Sequence, residues 1–193
     1  MKLTMLVGIF SFAIACSTTA LAAPQIKGLE ANAPVKELAD QLMLFGQFVG
    51  DWEFDMTLTQ PDGTKVSGKG EWHFGWALGG RAVQDVWIAL DDTSKPNPLL
   101  SEYGTTLRFY DPKMEVWRVV WVGPMRRTLI TFIGRKVGDE IVMEVDTKEG
   151  SSDRGRWIFY DVTAQSFRWR AVRSSDGGKT WSVQQQMNVR RLK

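Results

Sequence analysis

Residues 50–59 read Gly-Asp-Trp-Glu-Phe-Asp-Met-Thr-Leu-Thr, in which a large apolar residue stands at every second position from Trp52 to Leu58. Successive side chains of a β-strand point to opposite faces, so the four apolar side chains share one face. The same alternation returns in residues 71–78, Glu-Trp-His-Phe-Gly-Trp-Ala-Leu, beyond the turn Pro61-Asp62-Gly63. The pattern predicts two antiparallel strands with their apolar faces toward a common core.

Strand-like segments continue to the end of the chain, and turn-forming residues separate them. Asp111-Pro112, Gly123-Pro124 and Asp176-Gly177-Gly178 are the clearest separators. A spacing of about 8–12 residues between turns is typical of an up-and-down meander. We therefore predict an all-β protein, an antiparallel up-and-down barrel of about ten strands. The later predicted strands cover residues 81–89, 103–110, 115–122, 128–134, 140–146, 155–161, 166–173 and 181–190.

Residues 1–22 have the three parts of a secretory signal peptide. A basic residue precedes an apolar stretch at 3–16, and Ala20-Leu21-Ala22 is a small-x-small cleavage site. The alternative is a lipoprotein, because residues 12–16, Phe-Ala-Ile-Ala-Cys, resemble a bacterial lipobox that places a lipid on Cys16. We expect a periplasmic or secreted protein without a transmembrane segment in the mature chain, and a membrane-anchored lipoprotein as the alternative.

One domain is predicted beyond the leader. Residues 23–34 are rich in Pro and Ala and are expected to be a flexible lead-in, so the domain covers residues 35–193. A short N-terminal helix is predicted across one end of the barrel, because apolar residues recur there at helical spacing. These residues are Val35, Leu38, Leu42 and Phe45.

Composition excludes several classes of function. The chain has 193 residues and a net charge of +2, without the strong local positive charge of a nucleic-acid-binding protein. Cys16 is the only cysteine, so a mature domain without the leader has no disulfide. We predict no metal site and no cofactor, and the sequence leaves the oligomeric state open.

The first and last strands are expected to meet when the barrel closes. In an antiparallel barrel with an even number of strands, the end of the last strand then lies beside Trp52. Arg190 or Arg191 would lay its guanidinium over the indole, a cation–π contact that closes the barrel. Counting in twos from Val189 places Arg191 on the inward face, so we prefer Arg191.

The Gly50-x-Trp52 motif, with a basic residue at the end of the last strand, is similar to the signature of the calycins, the lipocalin-like barrels. Residues 75–85, 106–112 and 116–118 look like a narrower group, an uncharacterised bacterial lipocalin-like family. The resemblance covers about residues 45–193 and implies a barrel with room for a small molecule, without an established reaction. Relatives of nitrobindin type hold haem through a histidine near the C-terminus, where this chain has none.

Two further motifs are interpreted as structural. Residues 174–181 match the Asp-box, and its Asp176, Gly178, Thr180 and Trp181 are predicted to hold a tight β-hairpin. His73 is the only histidine and is expected on the polar face of its strand beside Glu71. No catalytic triad or metal-ligand spacing can be assembled from the sequence, so we name no catalytic residue.

Large aromatic residues dominate the predicted interior. They either fill the barrel completely or leave a cavity walled by indoles for an apolar or aromatic molecule. The predicted lining comprises Trp72, Phe74, Trp76, Trp117, Trp121, Trp157, Trp169 and Gln84. Asp85, Thr105 and Gln185 are further polar candidates, and the loop from about Asp91 to Ser101 is expected to act as a lid. Arg108, Arg118, Arg156, Arg168 and Arg170 are predicted on the outer face.

Three hypotheses for function follow. The first is an exported protein that binds a small apolar ligand in the barrel. The second is a non-enzymatic structural or interaction domain with a filled barrel, working through its outer arginines or a lipid on Cys16. The third is an enzyme acting on a sequestered apolar substrate.

Overall fold

The computed structural model describes residues 26–89 and 100–193. They form an all-β fold with one short α-helix, as predicted. The helical elements are a 3₁₀ turn (Lys36–Leu38) and α1 (Ala39–Gly46). The strands are β1 (Glu30–Ala31), β2 (Gly50–Thr59), β3 (Lys65–Ala77), β4 (Ala82–Ala89), β5 (Glu102–Asp111), β6 (Val116–Gly123), β7 (Thr128–Val137), β8 (Glu140–Val145), β9 (Arg154–Tyr160), β10 (Ser166–Ser174) and β11 (Ser182–Arg191).

Strands β2 to β11 close into a ten-stranded antiparallel barrel. Each strand pairs with its neighbours in the sequence, and β11 pairs with β2 to complete the ring. The register of this last pair sets Arg191 opposite Trp52 and Met187 opposite Met56. The closed ring leaves no edge among these ten strands and encloses the apolar faces that the alternation predicted.

The helix closes one end of the barrel. Leu42 and Phe45 of α1 are fully buried, and so is Phe48 just beyond it. Phe45 packs edge-on against Trp117 with ring centroids 4.8 Å apart, and Phe48 lies 4.8 Å from Phe167. Burying each such ring contributes about 1.5–3 kcal/mol, so these contacts fix the helix firmly in place. We call this end of the barrel the helix end.

Part of the predicted lead-in pairs with the barrel. Glu30 and Ala31 form β1, which pairs with Ala77 and Trp76 at the end of β3. The backbone N–H of Val35 donates to the carbonyl of Gly80 at 2.9 Å. Backbone pairing, which composition does not reveal, attaches this segment to the barrel.

The prediction for Arg108 was wrong, because its side chain is completely buried inside the barrel. Strand β5 turns a polar row inward, and it exposes Tyr103 and Phe109 by about half on the outer face. The other four predicted arginines do lie outside, where each forms an ion pair with an acidic residue. The pairs are Arg118–Asp111, Arg156–Glu144, Arg168–Asp161 and Arg170–Glu140.

Candidate functional site

A cavity of about 140 Å³ lies inside the barrel, away from the helix end. The residues around it come from eight strands and from the turn between β6 and β7. Five of them are tryptophans, and the others are mostly apolar or uncharged. The lining comprises Trp72, Trp87, Glu102, Trp121, Arg126, Thr128, Ile130, Trp157, Trp169, Gln185 and Met187.

The indoles pack on one another in a chain of edge-to-face contacts. Ring centroids lie 6.3 Å apart between Trp87 and Trp121, and 5.6 Å apart between Trp121 and Trp157. Trp157 continues to Trp169 at 5.3 Å, and Trp169 to Trp72 at 6.4 Å. Edge-to-face pairs are favourable arrangements of aromatic rings. The cavity is therefore walled by rings that hold one another in position.

Two of the cavity tryptophans already have acceptors for their indole N–H groups. Trp121 Nε1 donates to Thr128 Oγ1 at 3.1 Å, and Trp87 Nε1 lies 3.5 Å from the thioether sulfur of Met187. Trp72 and Trp169 differ, because their buried Nε1 atoms have no hydrogen-bond partner within residues 26–89 and 100–193. An unpaired buried donor is costly, so these two N–H groups are a local cost of the packed interior.

Two charged residues, Glu102 and Arg126, are part of the cavity lining. The buried Glu102 carboxylate accepts from the backbone N–H groups of Met125 at 3.0 Å and Arg126 at 3.1 Å, and so fixes the turn after β6. Burial lowers the pKa of the Arg126 guanidinium, and the Glu102 charge opposes that shift. Arg126 remains charged at neutral pH, because a guanidinium does not deprotonate in proteins.

The structure divides the predicted lining residues into two groups. Trp72, Trp121, Trp157 and Trp169 surround the cavity. Phe74, Trp76 and Trp117 do not line it, because they pack at the helix end. Trp76, for instance, lies against Gly46 of α1, where an added Cβ would collide with the indole.

Gln84 does not line the cavity either. It lies on the outer face of β4 and donates to Thr105 Oγ1 at 3.1 Å. The inward row of β4 holds Val83, Asp85 and Trp87 instead. Of the other polar candidates, Gln185 lines the cavity.

Sequence reasoning missed six of the lining residues, which are Trp87, Glu102, Arg126, Thr128, Ile130 and Met187. Trp87 follows Val83 by four residues, so strand alternation alone places the two side chains on the same face. Asp85 lies between them on the same face and hides this alternation, because inward-facing residues are usually apolar. Trp87 also stacks on Phe54 with centroids 5.0 Å apart and planes within 12°.

Asp85 and Arg108 form a second polar cluster, deeper in the barrel. Arg108 Nη2 lies 2.6 Å from Asp85 Oδ2, and both side chains are fully buried. The other carboxylate oxygen accepts from the backbone N–H of Thr106 at 3.0 Å. The guanidinium lies 5.1 Å from the Phe45 ring centroid, so the ion pair borders the helix end.

Barrel closure involves Arg191 and Trp52. The Arg191 guanidinium lies 4.0 Å from the Trp52 ring centroid and donates to the carbonyls of Val49 and Ala164 at 3.0 and 2.9 Å. Gly50 permits this approach, since its φ of 126° and the nearby guanidinium exclude a side chain. Arg190 instead lies outside and contacts Glu53 and Asp55.

The Asp-box residues form a tight hairpin between β10 and β11. The Asp176 carboxylate accepts from the Thr180 hydroxyl at 2.6 Å, from the Thr180 backbone at 3.0 Å and from Ser174 Oγ at 2.7 Å. These bonds, above all those from Thr180, hold the pKa of Asp176 far below its usual range. Trp181 Nε1 donates to the Gly178 carbonyl at 3.0 Å. This hairpin lies outside the cavity lining.

His73 lies between two carboxylates on the outer surface, 2.7 Å from Asp51 and 3.1 Å from Glu71. No group of three or more potential metal-binding His, Cys, Asp or Glu side chains occurs in the described part of the chain. Cys16 and most of the predicted lid lie outside the described residues.

The closed ten-stranded antiparallel barrel with one short helix is a calycin-type, lipocalin-like fold. The S-type phycobiliprotein lyase CPES from Guillardia theta is similar in structure, with a TM-score of 0.51 and 9% sequence identity over 78% of this chain and 92% of that one. Rv2717c from M. tuberculosis aligns with a TM-score of 0.49 and 11% identity over 83% of this chain and 99% of that one. At such low identity the likeness to the lyase concerns the fold alone.

No protein-family model matches the sequence, and no curated protein matches it either. Among the described residues, no helix is long and apolar enough to cross a membrane.

Proposed function

We propose that this protein binds one small apolar or aromatic molecule in the tryptophan-walled cavity. The observation that carries the proposal is the cavity itself, about 140 Å³ lined by five indoles that belong to or pack against the apolar core. Burial of apolar ligand surface supplies the affinity in such sites, and a few polar groups set the orientation. Trp72, Trp121, Trp157 and Trp169, together with Trp87, form the binding walls.

The volume accommodates about one aromatic ring. An apolar protein cavity of about 150 Å³ binds benzene, whereas sites for drug-sized ligands measure about 300–1,000 Å³. The cavity here, at about 140 Å³, matches the first class.

We also propose that binding takes place outside the cytoplasm. The support is the signal-peptide pattern of residues 1–22, with cleavage after Ala22 as the main route and lipidation of Cys16 as the alternative.

A blocking substitution in the cavity tests the proposal. Ile130 lines the cavity and its neighbour Leu129 is 70% exposed on the outer face of β7, so the two positions form a matched pair. Ile130→Trp fills the cavity, whereas Leu129→Trp adds the same ring outside. Wild type and both variants would be purified after export from a bacterial host, and organic extracts would be compared by mass spectrometry.

The proposal predicts one compound that is enriched with the wild type and with Leu129→Trp but not with Ile130→Trp. The same three proteins would be titrated calorimetrically with benzene, a probe of the expected size. Saturable benzene binding that only Ile130→Trp abolishes supports the cavity. Absence of both an enriched compound and benzene binding in the wild type would overturn the proposal.

A further inference from the structure

One wall of the cavity is an indole that lies over a glycine. Strand β5 turns four buried residues toward the interior, Glu102, Gly104, Thr106 and Arg108. Three of them carry polar side chains, and Gly104 carries none. A glycine inside a strand weakens it and often marks the close approach of another group. Here that group is the indole of Trp121, which lines the cavity.

The contact between this indole and β5 leaves no room for a methyl group. A Cβ added to Gly104 would lie 2.5 Å from Cζ2 of Trp121 and closer still to Cη2, and it would lie 2.9 Å from the carbonyl oxygen of Val122. Carbon atoms in ordinary contact are about 3.5–4.0 Å apart, so the ring would have to move by about 1 Å. The backbone of Gly104 does not have a positive φ. The main obstacle to an alanine is therefore the indole.

The Trp121 ring can yield to such a side chain mainly in one direction. Its Nε1 donates to Thr128 Oγ1 at 3.1 Å, and the rings of Trp87 and Trp157 pack edge-to-face against it at 6.3 and 5.6 Å. Strand β5 lies on one side of the ring, and the ring lines the cavity. A side chain at position 104 would therefore push the indole away from β5 and into the cavity.

We propose that Gly104 is a positioning residue that sets the size of the ligand. Because position 104 has no side chain, the Trp121 indole lies against β5 and the cavity keeps its volume of about 140 Å³. This inference rests on the proposed function and names the two residues, Gly104 and Trp121, that determine which ligands fit.

Gly104→Ala tests the proposal with benzene as the probe. Calorimetry on the exported, processed protein should show a benzene dissociation constant about tenfold higher or more, because a methyl group added to a packed interior is costly to accommodate. Gly134→Ala is the matched control. Gly134 is also buried, and its Cβ would lie 3.2 Å from Cβ of Trp117 at the helix end, outside the cavity lining. This control should bind benzene as the wild type does.

A second substitution should rescue the first. A phenyl ring lacks the Cζ2 and Cη2 atoms of Trp121 that the new Cβ would meet. Gly104→Ala combined with Trp121→Phe should therefore recover the benzene binding that Gly104→Ala loses. Failure of the rescue would show that the alanine acts on binding by another route and would overturn the inference.

Trp121→Phe alone tests the size of the ligand without an alanine at position 104. The smaller ring enlarges the cavity, so p-xylene, a benzene ring with two methyl groups, should gain over benzene. The ratio of the p-xylene to the benzene dissociation constant should fall by up to about tenfold, the worth of burying two methyl groups. Trp117→Phe is the control on the same strand, because Trp117 packs at the helix end, and its ratio should not change.

The outcomes separate this inference from the proposed function. If the wild type does not bind benzene, the proposed function itself fails. If the wild type binds benzene but Gly104→Ala binds it equally well, or Trp121→Phe leaves the ratio unchanged, only this inference fails.

Discussion

Arg108 and Asp85 form an ion pair at 2.6 Å in the interior of a barrel whose core is otherwise mainly aromatic and aliphatic. Both side chains are fully buried, and the pair adjoins Phe45 of the capping helix. Removing two charges from water is expensive, and the attraction between them offsets that cost only while both are present. Loss of one partner should therefore be far more harmful than loss of both.

Asp85→Asn leaves the Arg108 guanidinium buried without a counter-charge. We expect a loss of about 3–5 kcal/mol in the free energy of unfolding. Asp85→Asn combined with Arg108→Met should recover much of that loss, because no buried charge remains. Urea denaturation of the two single variants and the double variant measures the coupling. Strictly additive losses would show that the two residues do not stabilise each other.

Arg191 and Arg190 are adjacent residues with different expected roles. Arg191→Ala removes the contact with Trp52 and bonds to the carbonyls of Val49 and Ala164, so we expect about 2–3 kcal/mol of destabilisation. Arg190→Ala removes only solvent-exposed ion pairs and should cost at most about 1 kcal/mol. Thermal denaturation distinguishes them, and equal losses would contradict the role of Arg191 in closure.

Because of Asp176 and its hairpin, the stability of the folded protein should depend on pH. The pKa of Asp176 is lowered in the folded protein, whereas an unfolded Asp has a pKa of about 3.9. The stabilisation is therefore complete well above pH 4 and is lost as the pH falls from there through the folded value. The difference in melting temperature between wild type and Asp176→Asn should be largest at pH 7 and shrink toward pH 2.

Ser175→Ala is the control for this measurement, because Ser175 is an exposed neighbour in the same hairpin. Its melting temperature should follow that of the wild type at every pH. A difference between wild type and Asp176→Asn that does not change with pH would show that the carboxylate charge contributes nothing there.

Processing of the N-terminus distinguishes a released protein from a lipoprotein. Intact-mass analysis of the exported chain should give a protein that begins at Ala23, and Cys16→Ser should leave its release unchanged. A lipid attached to Cys16, together with membrane retention that Cys16→Ser abolishes, would establish the alternative.

The barrel could be predicted from the sequence because its strands alternate so regularly. Counting in twos from Val189 was enough to favour Arg191 as the partner of Trp52. The same rule failed on β5, where it assigned Arg108 to the outer face. Alternation assumes that inward residues are apolar, and an interior that contains its own ion pair breaks that assumption.

The cavity could be predicted only in part. The alternation of each strand predicts that Trp76, Trp117 and Trp121 all point inward. It does not predict how far along the barrel each of them lies. The helix packs on one end, so it fills the space around Trp76 and Trp117 and leaves the gap beside Trp121. Whether rings of this size fill a barrel depends on edge-to-face angles that appear only in three dimensions.

The indole N–H spectrum of the exported protein, titrated with benzene, tests the central claim most directly. The chain has nine tryptophans, and five of them line the cavity. We predict that benzene saturably shifts the signals of Trp72, Trp87, Trp121, Trp157 and Trp169, while those of Trp52, Trp76, Trp117 and Trp181 stay in place. No saturable shift, or shifts confined to the second group, would contradict ligand binding in this cavity.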